Sequence, residues 1–532
     1  MKRIILALTL IAGISLGGFS QLFQSGIYTI GGTSPDFTDF STVLSRLKSS
    51  GISGGPVIFH IREGQYNEQL NIEVKRNSSN TDRVTFTFDP SNTGDVIITD
   101  SGNEGDPIVF IASGTNYITV RGLTIMSKSG SRFTRKAIEV FGVRNNEIVN
   151  NKIKREDQNT PRFDRGIFIG ISYENKIVGN QISDCQIGIV VQGNKFASEE
   201  LRIDSNTIVD WTRYGILAKH SGSLFIRHNT INSLIGAEGW VNSHPIGVSV
   251  SKVHQLEFSH NSIEMSVVDD CTGLKIEDIS ESLSSAPNPK EHNLIYNNTI
   301  VQTNTPSSIG SRLMIIRNTM YTYILHNSGY SKVSSSSQFN EGIVTFSGCD
   351  STTVFMNNAI GNYADGKAYK VYSSTHIEKY NCFYAKKGTS SSTALGAGSF
   401  EADPKFKSAT DLHVDLSSPL ESKGVPTLIA KDKEGNIRTS AKPDLGAYEF
   451  NGSGGAISVL SLNKSNDKLN IYPNPTYGQV QFSSTISYRL VNALGSEVKS
   501  EESVEQADFS GLNAGVYYLM FEDNSSQKLV IR

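Results

Sequence analysis

The residues that could do chemistry cluster around one short apolar strand in the middle of the chain. Asp269 and Asp270 precede this strand, and Lys275 and Glu277 lie within it. Paired carboxylates can hydrolyse a glycosidic bond or bind calcium, and a lysine can abstract the proton next to a uronate carboxylate. The same residue types are typical of solvated loops. The pattern therefore indicates candidate catalytic residues and leaves a structural role open.

Further candidates lie on earlier strands of the same kind. Lys219 and His220 end one apolar strand, and Phe168 stands at an outward position of another. Because alternate residues of a strand point to opposite faces, we expect Lys219, a catalytic candidate, to share an outer face with Glu277. Phe168 and His220 are candidates for substrate binding, although an apolar stripe such as that of Phe168 more often lies under a loop. Calcium is the cofactor that the carboxylates suggest, and nothing in the pattern requires one.

Two repeated phrases place these residues on a solenoid. One phrase centres on an asparagine, as in Ile203-Asp204-Ser205-Asn206-Thr207-Ile208, and the other follows a small residue, as in Gly215-Ile216-Leu217-Ala218. Repeats of this length mean one stacked unit per repeat. Alternating apolar residues predict that both phrases form strands with one buried face. Because no repeat contains a convincing amphipathic helix, the sequence predicts one turn of a parallel β-helix per repeat.

The repeated asparagine is predicted to lie at the turn between two strands. Asparagine tolerates left-handed backbone angles, and its amide can bond to the turn or to the next amide along the solenoid. An unpaired buried amide would cost about 1–3 kcal/mol, so a bonded ladder is favoured over a calcium or ligand site. The predicted ladder consists of Asn151, Asn180, Asn206, Asn229, Asn261, Asn298, Asn318 and Asn358.

Phrases at the two ends of the repeats resemble a known family. Gly64-Gln65-Tyr66-Asn67-Glu68 is similar to the first coil of pectin-lyase-like right-handed β-helices. Asp444-Leu445-Gly446-Ala447-Tyr448-Glu449 is similar to the closing segment of bacterial surface β-helix proteins. The resemblance implies a right-handed β-helix over residues 21–450, and apolar residues at helical spacing after Phe37 predict a helix that caps its first coil. The fold hosts many functions, and the Asn-Thr-Asp, Gly-His-Gly and Arg-Ile-Lys phrases of polygalacturonases are missing.

The C-terminal residues resemble a second family. After the flexible linker predicted for residues 451–465, the phrases Tyr472-Pro473-Asn474-Pro475 and Gly515-Val516-Tyr517-Tyr518 precede a basic terminus. Together they resemble the C-terminal sorting domain of the type IX secretion system. The resemblance implies a small β-sandwich over residues 466–532. Its sorting motif would consist of Tyr472, Pro473, Asn474, Pro475, Gly515 and Tyr517.

Both ends of the chain predict export from the cell. Met1-Lys2-Arg3 and the apolar run behind them are typical of a signal peptide, here over residues 1–20. The sorting-domain resemblance implies the type IX secretion machinery as a partner. The predicted location is therefore outside a Gram-negative bacterium, either released or attached to its outer surface.

Composition narrows the remaining function classes. The chain has 532 residues, 19% of them charged, and a net charge of −3, so it lacks the basic character of a nucleic-acid-binding protein. The sequence predicts an all-β protein, with a right-handed parallel β-helix solenoid followed by a small C-terminal β-sandwich. Its predicted function is to contact or bind extracellular polysaccharide. Two alternatives remain open: a polysaccharide lyase or glycoside hydrolase acting on an acidic glycan, and a non-catalytic structural adhesin.

Overall fold

The computed structural model contains a long parallel solenoid and a separate antiparallel sheet. Two compact units span Met1–Gly454 and Gly455–Arg532. The predicted signal peptide and linker lie outside the described residues. The structure describes residues 22–75, 78–99, 106–128, 136–193, 200–233, 244–266, 271–279, 292–303, 311–332, 342–387, 391–439, 441–450, 471–474, 476–492, 497–512, 515–521 and 526–531.

Each full coil of the solenoid contributes one strand to each of three columns, which the chain visits in the order I, II, III. Column I holds the strands of the small-residue phrase. Column II holds the strands before the repeated asparagine, and column III holds the strands after it. Strands within a column pair in parallel, about 4.8 Å apart.

Column I consists of β4 (Leu70–Ile72), β7 (Val109–Ile111), β10 (Lys136–Phe141), β13 (Phe163–Gly170), β16 (Cys185–Gln192), β19 (Tyr214–Arg227), β21 (Ile246–Ser259), β23 (Thr272–Ile279), β26 (Arg312–Thr319), β29 (Gly342–Ser347) and β32 (Lys367–Tyr372). Strands β19 and β21 continue into column II, which also holds β1 (Phe23–Ile30), β2 (Ile52–Ile61), β5 (Val84–Phe88), β8 (Ile118–Arg121), β11 (Glu147–Val149), β14 (Lys176–Val178), β17 (Leu201–Asp204), β24 (Asn293–Tyr296), β27 (Thr322–Leu325), β30 (Val354–Met356) and β33 (Ile377–Lys379). Column III consists of β3 (Gly64–Asn67), β6 (Val96–Thr99), β9 (Thr124–Ser127), β12 (Lys152–Arg155), β15 (Gln181–Ile182), β18 (Thr207–Val209), β20 (Thr230–Ser233), β22 (Ser262–Met265), β25 (Thr299–Gln302), β28 (Ser328–Ser331), β31 (Ala359–Asp365), β34 (Cys382–Lys387) and β35 (Phe400–Glu401).

Aliphatic side chains stack inside the solenoid as one continuous core. Ile167, Ile189 and Ile216 follow one another in register along column I, and each is fully buried. Burying a side chain of this size is worth about 1.5–3 kcal/mol. The alternation predicted from the sequence is confirmed, and it fixes which residues of column I lie on the outer face.

The small residue in most of the column I strands is required by the close approach of the coils. A Cβ atom on Gly188 would lie 2.7 Å from the carbonyl oxygen of Gly215 and 2.4 Å from Cγ2 of Ile208. A Cβ atom on Gly215 would meet Gly247 and Ile231 in the same way. Columns I and III therefore pack against each other through a row of glycines.

A single helix, α1 (Phe40–Ser49), precedes the first full coil among the described residues. Asp39 caps it by accepting the Thr42 backbone N–H at 2.8 Å, and its buried side chains include Phe40, Val43, Leu44 and Leu47. The Glu68 carboxylate also accepts backbone N–H groups of its first turn. The glutamate of the Gly-x-Tyr-x-Glu phrase thus ties the helix to the coil, as favoured for anions at helix N-termini.

The asparagine ladder is present at the turn between columns II and III. In each coil both the backbone N–H and the side-chain amide donate to the Oδ1 atom of the next ladder residue; for Asn206 and Asn229 the two distances are 2.9 and 3.0 Å. The same Asn206 amide donates to the Ile177 carbonyl at 2.9 Å. These groups are buried and fully paired, as buried amides must be.

One predicted ladder member is wrong. Asn318 lies instead near the end of β26, with a φ of +50°, is exposed, and donates to the Asp278 carboxylate. The ladder continues through Asn327, whose Oδ1 atom accepts from Asn298, and ends at Asn381. Asn327 escaped the sequence pattern because Gly329 replaces the isoleucine that follows the asparagine in the other copies.

A closing strap, residues 422–450, folds back along the turn that carries the ladder. Asn357 donates to the Val425 carbonyl, Asn297 donates to the Lys431 carbonyl, and the Lys433 ammonium donates to the His260 carbonyl. The strap therefore runs from a late coil towards an earlier one. It covers the residues that precede the ladder asparagines.

The Asp-Leu-Gly-Ala-Tyr-Glu phrase holds the two ends of the strap together. The Asp444 carboxylate accepts the backbone N–H groups of Ser422 and Phe450 at 2.7 and 2.8 Å. Glu449 pairs with the buried Arg438 guanidinium at 3.2 Å. Gly446 has a φ of +90° and lies so close to Ser328 that a Cβ atom would come within 2.6 Å of its hydroxyl. Asp444, Gly446 and Glu449 of the phrase thus each have a local structural role.

The C-terminal unit is an antiparallel sheet around its own small core. Asn474 accepts the Val530 backbone N–H at 3.0 Å, so the Tyr-Pro-Asn-Pro phrase fixes the last strand; Pro475 itself lies outside the described residues. The predicted all-β division into solenoid and C-terminal domain is confirmed. In the part of the chain that the structure describes, no helix is long and apolar enough to cross a membrane. The strands are β36 (Ile471–Tyr472), β37 (Gln479–Asn492), β38 (Glu497–Asp508), β39 (Gly515–Phe521) and β40 (Ser526–Ile531).

Candidate functional site

Four of the predicted site residues lie on the outer face of column I, in two neighbouring rows. Lys219 pairs with Ser251, and Ser251 pairs with Glu277, so Lys219 and Glu277 lie on one outward row two coils apart. At the spacing of parallel strands this is about 10 Å. Lys275 occupies the neighbouring outward row, in which Phe168 also lies several coils earlier.

Glu277 is held between two cations. The Lys275 ammonium lies 2.8 Å from one carboxylate oxygen, and the Arg317 guanidinium of the next coil lies 2.9 Å from the other. Arg317 follows Glu277 in the same row, and the sequence reasoning missed it because its strand lacks the small first residue. We call Lys219, Lys275, Glu277 and Arg317 the charged patch.

The charged patch carries more positive than negative charge. Its one carboxylate is matched by Lys275 and Arg317, while Lys219 is exposed and forms no ion pair with any residue that the structure describes. Side chains of this kind, spread over adjacent coils, can contact successive units of an extended anion through charge-assisted hydrogen bonds.

Phe168 is not an open stacking surface in this structure. Its side chain is only 6% exposed and packs with Ile187 and Val190. The Lys136 ammonium and the Arg165 guanidinium lie 4.8 and 4.9 Å from the ring centroid. The ring is therefore covered by neighbouring side chains, and cover by a loop, which the sequence favoured, stays a prediction.

The remaining predicted residues do not join the charged patch. His220 lies at the bend of β19, with a φ of +56°, and is half-buried. Asp269 and Asp270 lie outside the described residues. Among the residues that are described, no three acidic, histidine or cysteine side chains converge as ligands for a metal, so the calcium suggestion stays a prediction.

A cleft that the sequence reasoning missed lies at the tip of the closing strap. This strap cleft has a volume of about 480 Å³. The rings of His228 and His260 stack at 4.7 Å, with 20° between their planes, and the Tyr296 ring meets His260 edge-on at 5.3 Å. No motif could reveal the cleft, because the strap is far from these residues in sequence. Its lining comprises His228, His260, Leu294, Tyr296 and strap residues 428–435.

Burial sets the protonation of the cleft. It lowers the pKa of His260 to about 4 and, less strongly, the pKa of His228. Burial also raises the pKa of Tyr296 to about 12, helped by the Glu257 carboxylate that accepts its hydroxyl at 2.9 Å. The Lys433 ammonium donates to the carbonyls of His260 and Asn261, and burial lowers its pKa to about 7. At neutral pH the imidazoles and the phenol are therefore uncharged.

Two family models match parts of the chain. One, described as a right handed beta helix region, matches residues 71–233, and the other, described as a secretion system C-terminal sorting domain, matches residues 470–532. The chain is a right-handed parallel β-helix protein with a secretion-system sorting domain. The sorting domain of this β-helix protein indicates export by the type IX secretion system, and hence a secreted or cell-surface location.

Solved structures similar to the β-helix protein differ in function. They include the GH136 lacto-N-biosidase from Eubacterium ramulus (10% identity, 70% of this chain and 67% of that chain, TM-score 0.41). They also include PfbA, a surface adhesin of Streptococcus pneumoniae (12%, 68% and 89%, TM-score 0.42), and the pectate lyase Pel9A (10%, 81% and 98%, TM-score 0.36). No curated protein matches the chain.

Proposed function

We propose that the β-helix protein binds an anionic extracellular polysaccharide along the outer face of column I, through the charged patch. The observation that carries this proposal is the excess of cations around Glu277. Lys219 has no ion-pair partner among the described residues, and Arg317 has a side chain that is 50% exposed. Both are therefore accessible to a carboxylate or sulfate group from solution.

Among the residues that the structure describes, the geometry supports binding better than hydrolysis. Glycoside hydrolysis needs two carboxyl groups, one of which gives or takes a proton. Both oxygens of Glu277 already face cations, Lys275 on one side and Arg317 on the other. That arrangement fixes the carboxylate as an acceptor and leaves neither oxygen free to transfer a proton to a glycosidic bond.

A polysaccharide lyase is the second candidate, because Lys219 has the freedom that a proton-abstracting base requires. It is exposed, lies about 10 Å from the row position of Glu277, and forms no ion pair with a described residue. A substrate carboxylate neutralised near Arg317 would acidify the adjacent C–H bond. The two candidates share the same acidic substrate class and differ only in whether product forms.

The test uses the full chain with polygalacturonate, alginate and, as a neutral reference, xylan. We expect polygalacturonate or alginate to bind in low salt and to dissociate as salt rises, because screening weakens exposed charge pairs. Lys219→Ala and Arg317→Ala should each weaken binding about threefold to tenfold. Lys154→Ala, an exposed lysine on column III, serves as the matched control and should have no effect.

Product analysis separates the two candidates. An increase in unsaturated-uronate absorbance that Lys219→Ala abolishes would establish the lyase. Binding without product would establish the binding protein. Equal affinity of wild type and both patch variants for every anionic glycan would contradict the proposal and leave a structural adhesin as the account.

A further inference from the structure

His228 presents an uncovered ring at the strap cleft. One face of its imidazole stacks on His260, and its side chain is exposed. In the preceding coil the equivalent turn residue is Ser205, which is exposed and has the same left-handed backbone. Because serine is small, the second face of the imidazole is open along the solenoid axis. No other described ring contacts His228.

The wall opposite is apolar and comes from the strap. Leu428 is 58% exposed at the cleft, and Ala430 is exposed two residues later. Leu294, from column II, continues the apolar surface across the cleft floor. The cleft thus offers apolar contact on two sides.

Polar groups behind the cleft lining hold the side chain of Tyr296 in place. The Tyr296 hydroxyl donates to Glu257, and Ser259 donates to the same carboxylate at 3.1 Å. Arg227 is held by Asp204 through two bonds of 3.1 and 2.8 Å and lies 3.8 Å from Glu257. A few fixed polar groups beside apolar walls, in a cavity of about 300–1,000 Å³, are typical of small-ligand sites.

Charge and tautomer narrow the ligand class. On the strap, Lys433 and Asp432 are tied to backbone groups. The exposed Lys431 and Glu434 carry opposite charges, so the strap favours an uncharged ligand. A metal ion does not fit, because Nε2 of His260 lies 3.2 Å from the Asn297 amide nitrogen, which can only donate to it. The ring lone pair that a metal would need is already used.

We propose that the strap cleft binds a sugar ring of a neutral oligosaccharide, whose apolar face packs on His228 and Leu428 and whose hydroxyls meet the Tyr296 side. The inference does not rest on the charged patch, because it concerns another face of the solenoid and an uncharged ligand. Ring stacking against an aromatic side chain supplies the contact that a neutral sugar can make without ion pairs.

The experiment titrates the full chain with cellohexaose, xylohexaose and mannohexaose, followed by saturation-transfer NMR and calorimetry. His228→Asn removes the ring and keeps a residue that tolerates a left-handed backbone, and Leu428→Ser removes the apolar wall. We expect each to weaken binding of the preferred hexaose at least about fivefold. Ile437→Ser is the matched control, because Ile437 is also an exposed strap residue, 62% accessible, but does not line the cleft.

The outcomes of this experiment test the strap cleft independently of the charged patch. Binding of a neutral hexaose that resists salt, weakens in both cleft variants and survives Ile437→Ser and Lys219→Ala supports the proposal. Absence of binding by all three hexaoses overturns it, as does binding that is unchanged in His228→Asn and Leu428→Ser. Circular dichroism and thermal unfolding of each variant establish that the solenoid is intact.

Discussion

The side-chain nitrogen Nδ2 of Asn229 lies 3.0 Å from Oδ1 of Asn261 in the next coil. The same Asn229 amide donates to the Ile203 carbonyl at 2.8 Å, and its own oxygen accepts from Asn206. One side chain therefore satisfies buried groups on both neighbouring coils. The same hydrogen bonds between asparagines recur along the solenoid and hold the turns between columns II and III in register.

Asn229→Ala should lower the free energy of unfolding by about 1–3 kcal/mol. The substitution leaves the buried Asn206 backbone N–H without its acceptor and removes the amide that donates to the Ile203 carbonyl, and an orphaned buried group costs about 1–3 kcal/mol. Denaturant unfolding measures the loss. Asn232→Ala, in the same coil but on the outer face of column III, is the control and should change stability by less than about 0.5 kcal/mol. Equal effects of the two variants would contradict the ladder account.

Gly446→Ala should loosen the closing strap more than Gly435→Ala. Both glycines have a φ near +90°, so both variants pay for an unfavourable left-handed backbone, about 1–2 kcal/mol. Only at Gly446 would the new Cβ atom also meet a neighbour, the Ser328 hydroxyl at 2.6 Å; at Gly435 nothing lies within 4 Å. Hydrogen exchange of strap amides measures the difference, and equal protection in both variants would refute the close packing.

Lys433→Met should remove part of the pH dependence of stability. Burial lowers the Lys433 pKa from 10.5 to about 7, so between these values the unfolded chain holds a proton that the folded chain has lost. Stability from this group therefore rises with pH above about 7. The Tm of wild type relative to Lys433→Met should increase from pH 6.5 to 9.5. Lys431→Met changes an exposed lysine and should keep the wild-type dependence of Tm on pH. If the difference in Tm between wild type and Lys433→Met stays constant with pH, the Lys433 ammonium is not desolvated.

Asn474→Ala should impair export. Its Oδ1 atom accepts the Val530 backbone N–H at 3.0 Å and fixes the last strand of the sorting domain. Freeing that strand should reduce the secreted fraction several-fold and raise cell-associated protein, measured by fractionation and immunoblotting. Glu502→Ala, an exposed change in the same sheet, is expected to be exported normally. Normal export of Asn474→Ala would show that the clamp is dispensable.

Local patterns were enough to predict the solenoid but not the strap cleft. The alternation around Ile189 and Ile216 and the spacing of the asparagines follow from one repeating set of neighbours, so they are legible in sequence. Asn327 was missed because Gly329 breaks the phrase around it. The contact of Lys433 with the His260 carbonyl joins residues far apart in sequence, and no local pattern encodes where the strap crosses the coils.

The most direct test of the account compares two opposite changes in the charged patch. Glu277→Gln removes its one negative charge, and Lys219→Gln removes an unpaired positive charge; the two residues lie on the same outward row. Calorimetric titration with oligogalacturonate at low salt should show tighter binding for Glu277→Gln and weaker binding for Lys219→Gln, each by about threefold or more. Affinities that change in the same direction, or do not change, would contradict binding of an anionic polysaccharide at this face.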